Sequence, residues 1–304
     1  MSGTDFLATA AQYDANDEHE ADRLRLHPME RALTLDAIVQ HLEISVPEHP
    51  ESQSRCLKIA DIGGATGVYA FALADICATQ RIQADIHLRD LAPKLVALAQ
   101  IEQDRRIKSA SPTLASLAVG SALNADLFPA TEHCTFNAVL LLGPLYHLIE
   151  HYERITALKY AISLLRSSRP GAPNAVLFAA FIPRTAHLRD LATRDPTRLV
   201  RPSDAKFYAQ YLQDGRYVKP GRSSYHVGSP EEVHELVQAA GGRVVELIGV
   251  EGILGGGMDR ELVGLDESVV KSWLNVMKGV ARQSWNLGAA DHWVAVIEKV
   301  TVES

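Results

Sequence analysis

An apolar run that ends in an acid and breaks at once into glycine constrains the fold of this chain more than any other stretch. Lys58-Ile59-Ala60-Asp61-Ile62 leads into Gly63-Gly64-Ala65-Thr66-Gly67, and Val68-Tyr69-Ala70-Phe71-Ala72-Leu73-Ala74 follows. A short buried strand, a tight turn and a helix start make the βα unit of an open parallel sheet. The turn is where such sheets take up nucleotide-like ligands. Glycine lets the backbone turn tightly there and come close to a ligand.

The unit recurs. Strands are expected at 57–62, 82–88, 114–119, 136–142 and 175–182, and helices at 68–76, 94–104 and 152–165. This alternation implies right-handed crossovers and a mostly parallel sheet with helices on both faces. Residues 4–16 and 29–45 also read as helices and form an N-terminal cap over 1–50. From 184 to 228 the rhythm breaks into polar sequence that carries Phe207, Tyr208, Tyr211, Tyr217 and Tyr225. A segment this long between core elements reads as a substrate lid rather than a bare loop. Ser229-Pro230-Glu231-Glu232 then starts a helix, with a capping serine, a first-turn proline and acids that oppose the dipole. A strand at 243–250, a helix at 267–280 and a strand at 292–300 finish the sheet with an antiparallel edge. The chain reads as one domain, its core built from 55–183 and 229–304.

The sequence has 304 residues, of which 47% are hydrophobic and 22% charged, the make-up of an ordinary soluble globular protein. A net charge of −7 and the lack of a Lys/Arg-rich run disfavour a nucleic-acid partner. No apolar run approaches the length that spans a bilayer. Cys56, Cys77 and Cys134 form neither a CxxC pair nor a zinc spacing. The first residues are acidic and polar, unlike a signal or transit segment. Both features fit a reducing cytoplasm. A homodimer is left open.

Three features carry the chemistry. In the turn, small residues fall at Gly63, Ala65 and Gly67 and the sixth position is Val68, so the G-x-G-x-x-G dinucleotide fingerprint is not met. No Gly-Lys-Ser/Thr follows, which excludes a P-loop. A purely structural turn is the alternative. The second feature is Asp90 in Arg89-Asp90-Leu91-Ala92-Pro93, 23 residues after Gly67. An acid at the end of the second strand can accept both hydroxyls of a ribose, or it can cap the helix that starts near Pro93. The third is the apolar strand that ends in Leu142-Gly143-Pro144-Leu145-Tyr146-His147. Carbonyls near Leu142 and Gly143 could hold an ammonium, and Tyr146 and His147 would stand at the reaction mouth. Packing is the competing role for both rings.

With these motifs the chain resembles the small-molecule methyltransferases of the class I, Rossmann-like fold. The resemblance runs through Arg25-Leu26-His27-Pro28-Met29-Glu30, DIGGATGVYA, LRDLAPKLVALA, LLLGPLYHL and SWNLGAADHWVAVIEK. It implies a seven-stranded sheet and S-adenosyl-L-methionine as cofactor. By match, Asp61, Gly63, Gly64, Ala65 and Gly67 cradle the methionine part, with Leu142 and Gly143 near its ammonium. Asp90 and Leu91 take the ribose, Ser121 and Ala122 the adenine, and Tyr13 closes over the cofactor. Two departures stand out: Ala65 replaces the middle glycine, and Ser121 occupies a position that often carries Asp, with Asp126 as a nearby substitute. The implied reaction is methyl transfer to an oxygen or nitrogen of a small organic acceptor. Its site would be lined by Tyr146, His147, Tyr225 and His226, with His147 the first and His226 the second candidate base. A methyltransferase-like binding protein without transfer activity, a nicotinamide-dependent oxidoreductase and an RNA methyltransferase are the rivals. No metal is expected.

Overall fold

The computed structural model describes residues 24–44, 56–168, 173–219 and 222–300. The helix expected at 4–16, with Tyr13, lies outside the described residues. In chain order the elements begin with α1 (Pro28–His41), β1 (Cys56–Ile62), α2 (Val68–Thr79), β2 (Gln83–Asp90), α3 (Pro93–Lys108) and β3 (Ser116–Val119). They continue through β4 (Ala138–Leu141), α4 (His151–Leu164), β5 (Val176–Phe181), α5 (Arg184–Arg194), α6 (Pro202–Asp214), β6 (Arg216–Lys219) and β7 (Arg222–Tyr225). The last are α7 (Pro230–Ala239), β8 (Gly242–Gly249), α8 (Glu267–Val280), α9 (Ser284–Leu287) and β9 (Trp293–Lys299). No helix among the described residues is long and apolar enough to cross a membrane.

Seven strands form one sheet in the order β3-β2-β1-β4-β5-β9-β8. The first five pair in parallel, and β9 runs antiparallel to both neighbours. The antiparallel strand is therefore internal, not the edge that the sequence suggests, and β8 on the rim runs parallel to β5. Side-chain composition accounts for the swap. Trp293 to Ile297 of β9 are all buried, whereas Arg243 to Leu247 of β8 are exposed or half-buried, as on a rim strand.

Alternate residues of the central strands feed two cores, as the period of two requires. Ile62, Val139, Leu141, Leu177, Ala179 and Ile297 face α4 and α7, which contribute Leu158, Ala161, Val233 and Val237. Ile59, Leu140, Phe178, Val294 and Val296 face the other way, against Met29, Leu33 and Ile38 of α1 and Phe71 and Leu73 of α2. Full burial of each such side chain contributes roughly 1.5–3 kcal/mol, so this three-layer packing holds the strand ends that form the site.

Between β5 and α7 lies an insert made of α5, α6 and the antiparallel hairpin β6–β7. It has its own small core of Leu191, Tyr208 and Tyr211, with Leu188, Phe207 and Tyr217 against it. Arg184 ties it down, donating to the carbonyls of Leu212 at 2.9 Å and His226 at 3.2 Å.

Candidate functional site

The turn after β1 alternates between ordinary and left-handed backbone. Gly63 has φ 76°, Ala65 φ 48° and Gly67 φ 83°. The small residues picked out at 63, 65 and 67 are thus the three that adopt the conformation a Cβ disfavours. Space is as tight as backbone. A Cβ on Gly63 would lie 2.5 Å from Cγ of Pro144, and one on Gly64 would lie 2.6 Å from Cγ of Asp61. Gly67 caps α2 and does not line the cleft described below.

The amides of this turn are already used. Gly63 and Gly64 donate to the carbonyl of Arg89 at 2.7 and 3.3 Å, and Gly67 donates to the carbonyl of Gly64 at 2.8 Å. Ala65 donates to Oδ2 of Asp90 at 2.8 Å, while the amide of Ala92 donates to Oδ1 at 2.8 Å. Asp90 therefore closes the turn just before α3, whose N-cap is Ala92 without a side-chain cap, and straps the turn after β1 to the end of β2 as well. A phosphate-binding turn needs its amides aimed at the ligand. Here four of them are engaged inside the protein.

A cleft of about 1050 Å³, its open mouth included, lies over the carboxyl ends of β1, β2 and β4. Its lining includes Asp61, Gly63, Gly64, Ala65, Asp90 and Leu91, together with Ser121, Ala122, Leu142, Gly143, Tyr146 and His147. It carries two carboxylates and neither Lys nor Arg among the described residues. Asp61 is 1% exposed, and its Oδ2 has no hydrogen-bond partner among the described residues. Burial first, and then the neighbouring Asp90, push its carboxyl up to about 7; the amide of Ala70 pulls the other way. An ammonium or sulfonium would relieve that desolvated acid, whereas a pyrophosphate would meet repulsion. Ser121 Oγ accepts from the amide of Leu123 at 3.3 Å. Asp126, the suggested substitute, is exposed and does not line the cleft.

Pro144–His147 is a single 3-10 turn after β4. It sets the Tyr146 and His147 rings 4.7 Å apart, both on the cleft wall. The Tyr146 ring centroid also lies 6.5 Å from that of His292, which lines a second cavity. This cavity, about 1130 Å³ with its mouth, is lined by His27, His187, His226 and His292, with Tyr217, Arg194, Arg260, Asp190 and Asp291. It joins the insert to the segments before α1 and β9.

Of the remaining expected site residues, His226 lines the second cavity, its Nδ1 2.7 Å from the Tyr211 hydroxyl. Tyr225 is placed elsewhere. Its ring lies in the main core under the Arg154 guanidinium, 3.4 Å from the centroid, and its hydroxyl donates to Glu232. Tyr208 and Tyr211 likewise pack the insert, so the tyrosines of 184–228 serve mostly as its core.

Sequence reasoning also missed a buried acid–histidine pair, of which His292 lines the second cavity. Glu251, 1% exposed, accepts from the amides of Asp291 at 3.0 Å and His292 at 2.8 Å. Its other oxygen meets His292 Nδ1 at 2.5 Å. Burial raises the Glu251 carboxyl and Glu30 adds to the rise, while His292 opposes it. The two residues are 41 positions apart. A visible sign was that one follows a strand and the other precedes a strand at the same end of the sheet.

No protein-family model matches the sequence, and no curated protein sequence does. Solved structures do. Magnesium protoporphyrin IX methyltransferase from Synechocystis PCC 6803, with SAH bound, is 15% identical, with 79% of this chain and 91% of that one covered and a TM-score of 0.50. A SAM-dependent methyltransferase from Methanosarcina mazei is 14% identical over 84% of this chain and all of its own, with a TM-score of 0.49. Geranyl diphosphate C-methyltransferase from Streptomyces coelicolor A3(2) is 11% identical over 89% and 79%, with a TM-score of 0.47. In strand order and in backbone, this chain has the Rossmann-like fold of the class I S-adenosylmethionine-dependent methyltransferases.

Proposed function

We propose that this chain transfers the methyl group of S-adenosylmethionine to an oxygen or nitrogen of a small organic acceptor. The observation that carries the reading is the acid-walled cleft, whose turn amides are engaged and whose buried Asp61 has an orphaned oxygen. That chemistry selects a cationic nucleoside over a dinucleotide, and so disfavours the nicotinamide alternative.

In this reading Asp61 and the carbonyls of Leu142 and Gly143 take the ammonium, Asp90 and Leu91 the ribose, and Ser121 and Ala122 the adenine. A carboxylate accepts about four hydrogen bonds, so Asp90 can hold the turn and receive hydroxyls together. When bound, the cofactor supplies a methyl carbon made electrophilic by the sulfonium. The protein's part is alignment and exclusion of water. Tyr146 and His147 wall the cofactor side, and His226 faces the acceptor side. The insert at 184–228 closes over both. A second cavity lined by histidines and charged side chains among apolar surface suits a small acceptor rather than a nucleic acid, in a reducing cytoplasm.

Calorimetry with S-adenosylmethionine, SAH and NAD tests the reading. Binding of the first two, lost in Asp90→Ala, is expected; binding of NAD alone would sink it. Transfer of a labelled methyl into an extract of small metabolites separates a transferase from a protein that only binds the cofactor.

A further inference from the structure

We propose that the second cavity binds a small molecule that carries a carboxylate, and that Arg260 is the residue that holds it. The inference concerns binding alone. It needs no connection between this cavity and the cofactor cleft, and it stands or falls apart from the methyltransferase reading.

Charge on the wall carries the argument. Among the described residues, two acids and two arginines line the cavity. Asp190 has its countercharge in Arg194 at 2.6 Å. Asp291 has Arg189 at 2.7 Å, and its other oxygen accepts from the amide of Gly256 at 2.6 Å. Arg260 forms no ion pair with a carboxylate of the described residues; its partner is a histidine, His27. The guanidinium lies over the backbone of Gly257, itself part of the wall. A Cβ there would be 3.6 Å from Nε and 3.8 Å from Cζ.

Geometry fixes what Arg260 has left to give. Its Nε and Nη2 both face Nε2 of His27, at 3.3 and 3.1 Å. A guanidinium only donates, so Nε2 offers the lone pair and the ring hydrogen sits on Nδ1. That hydrogen goes to Oδ1 of Asp259, 3.0 Å away on a fully buried side chain. This tautomer follows from the arginine and is the same for either charge state of the acid. Asp259 thus orients the ring, and the ring orients the guanidinium; both are positioning residues. Three of the guanidinium's donors remain, two on Nη1 and one on Nη2. They include the end-on fork that matches the two oxygens of a carboxylate.

The rest of the wall suits the body of such a molecule. The rings of His187 and Tyr217 lie 4.6 Å apart, and Ile182 and Ala186 add apolar surface. A flat ring with one carboxylate fits that mix. A phosphate dianion would have the same single fork to hold it and two acids, Asp190 and Asp291, on the same wall.

The test is titration of the full chain with benzoate, benzamide, benzylamine and phenyl phosphate, read by NMR on ¹⁵N-labelled arginine side chains. The Nε–H signal missing in Arg260→Gln identifies that of Arg260. Expected is a saturable shift of this signal with benzoate, and benzamide binding about tenfold more weakly or worse. Arg260→Gln should lose about tenfold or more in benzoate affinity, and Arg260→Lys, which keeps the charge without the fork, most of that. His27→Phe should weaken benzoate by about threefold or more, and His27→Gln, which keeps an acceptor, should restore it. The Arg260 side chain is exposed, so Arg260→Gln should keep the parent's urea midpoint, which assigns the loss to binding. Benzamide or benzylamine bound as tightly as benzoate, phenyl phosphate bound more tightly, or benzoate affinity unmoved in Arg260→Gln would each overturn the proposal. So would a response to benzoate that never saturates, the mark of adventitious anion binding. Failure of the unaltered chain to bind S-adenosylmethionine removes the methyltransferase reading and leaves this site standing.

Discussion

The backbone N–H of Ala65 donates to Oδ2 of Asp90 over 2.8 Å, so the acid at the end of β2 holds the turn at the end of β1. Loss of that carboxylate strands the amides of Ala65 and Ala92 together. Asp90→Ala should therefore destabilise the fold by about 1–3 kcal/mol as well as abolish cofactor binding. Asp90→Asn, which keeps one acceptor oxygen, should recover part of the stability and little of the affinity. Urea denaturation and calorimetry on the two variants check this split.

Ala65 has φ 48°, a conformation that costs a residue with a Cβ about 1–3 kcal/mol. Ala65→Gly removes that cost, set against about 0.4–1 kcal/mol of unfolded-chain entropy. The net effect should lie between neutral and about 2.6 kcal/mol of added stability. Ala65→Val, branched at Cβ, should lower the urea midpoint clearly and abolish binding. A Val variant as stable as the parent would mean the turn relaxes out of this conformation.

Asp61 gives a pH dependence with a defined sign. Its folded carboxyl holds the proton up to about 7, against an ordinary 3.8. Between those values the folded chain binds more protons than the unfolded one, so this group's contribution to stability falls as pH rises. The fall is on the order of a few kcal/mol. Asp61→Asn should flatten that part of the stability curve. A bound ammonium favours the ionised acid, so cofactor affinity should rise between about pH 6 and 8, and Asp61→Asn should lose the rise. Affinity that falls over this window would contradict the role given to Asp61.

Tyr225 tests the division between core and site. Its hydroxyl serves Glu232, which also accepts from the amide of Gly228 at 2.7 Å. Tyr225→Phe should cost about 1–2 kcal/mol by leaving that carboxylate short of a donor. Cofactor affinity and KM for the acceptor should stay unchanged. A raised KM would put the phenol back among the substrate contacts.

The parts legible in the sequence were those governed by local rules. The βα rhythm shows because the central parallel strands β4 and β5 are apolar throughout, and the turn at 63–67 shows because left-handed backbone asks for small residues. The placement of β9 between β5 and β8 did not show, because pairing partners far apart in the chain leave no mark on either strand. Tyr225 was misplaced for a related reason: an aromatic near a substrate lid reads the same whether it packs or binds. Glu251 and His292 were passed over because each alone is ordinary, and only the sheet brings them together.

The position of β9 also bears on how the protein comes to be folded. β5 and β8 both wait for a strand that is synthesised after them, and neither pairs with the other. A nascent chain can assemble β1 to β5 and their helices as it emerges. The rim strand, Glu251 and the second cavity stay open until residues 293–299 leave the ribosome. Until then β5 exposes an apolar edge of the kind that invites pairing with a neighbouring chain. A chain cut before β9 would thus leave the inner edge of β5 and both edges of β8 without a partner from this sheet.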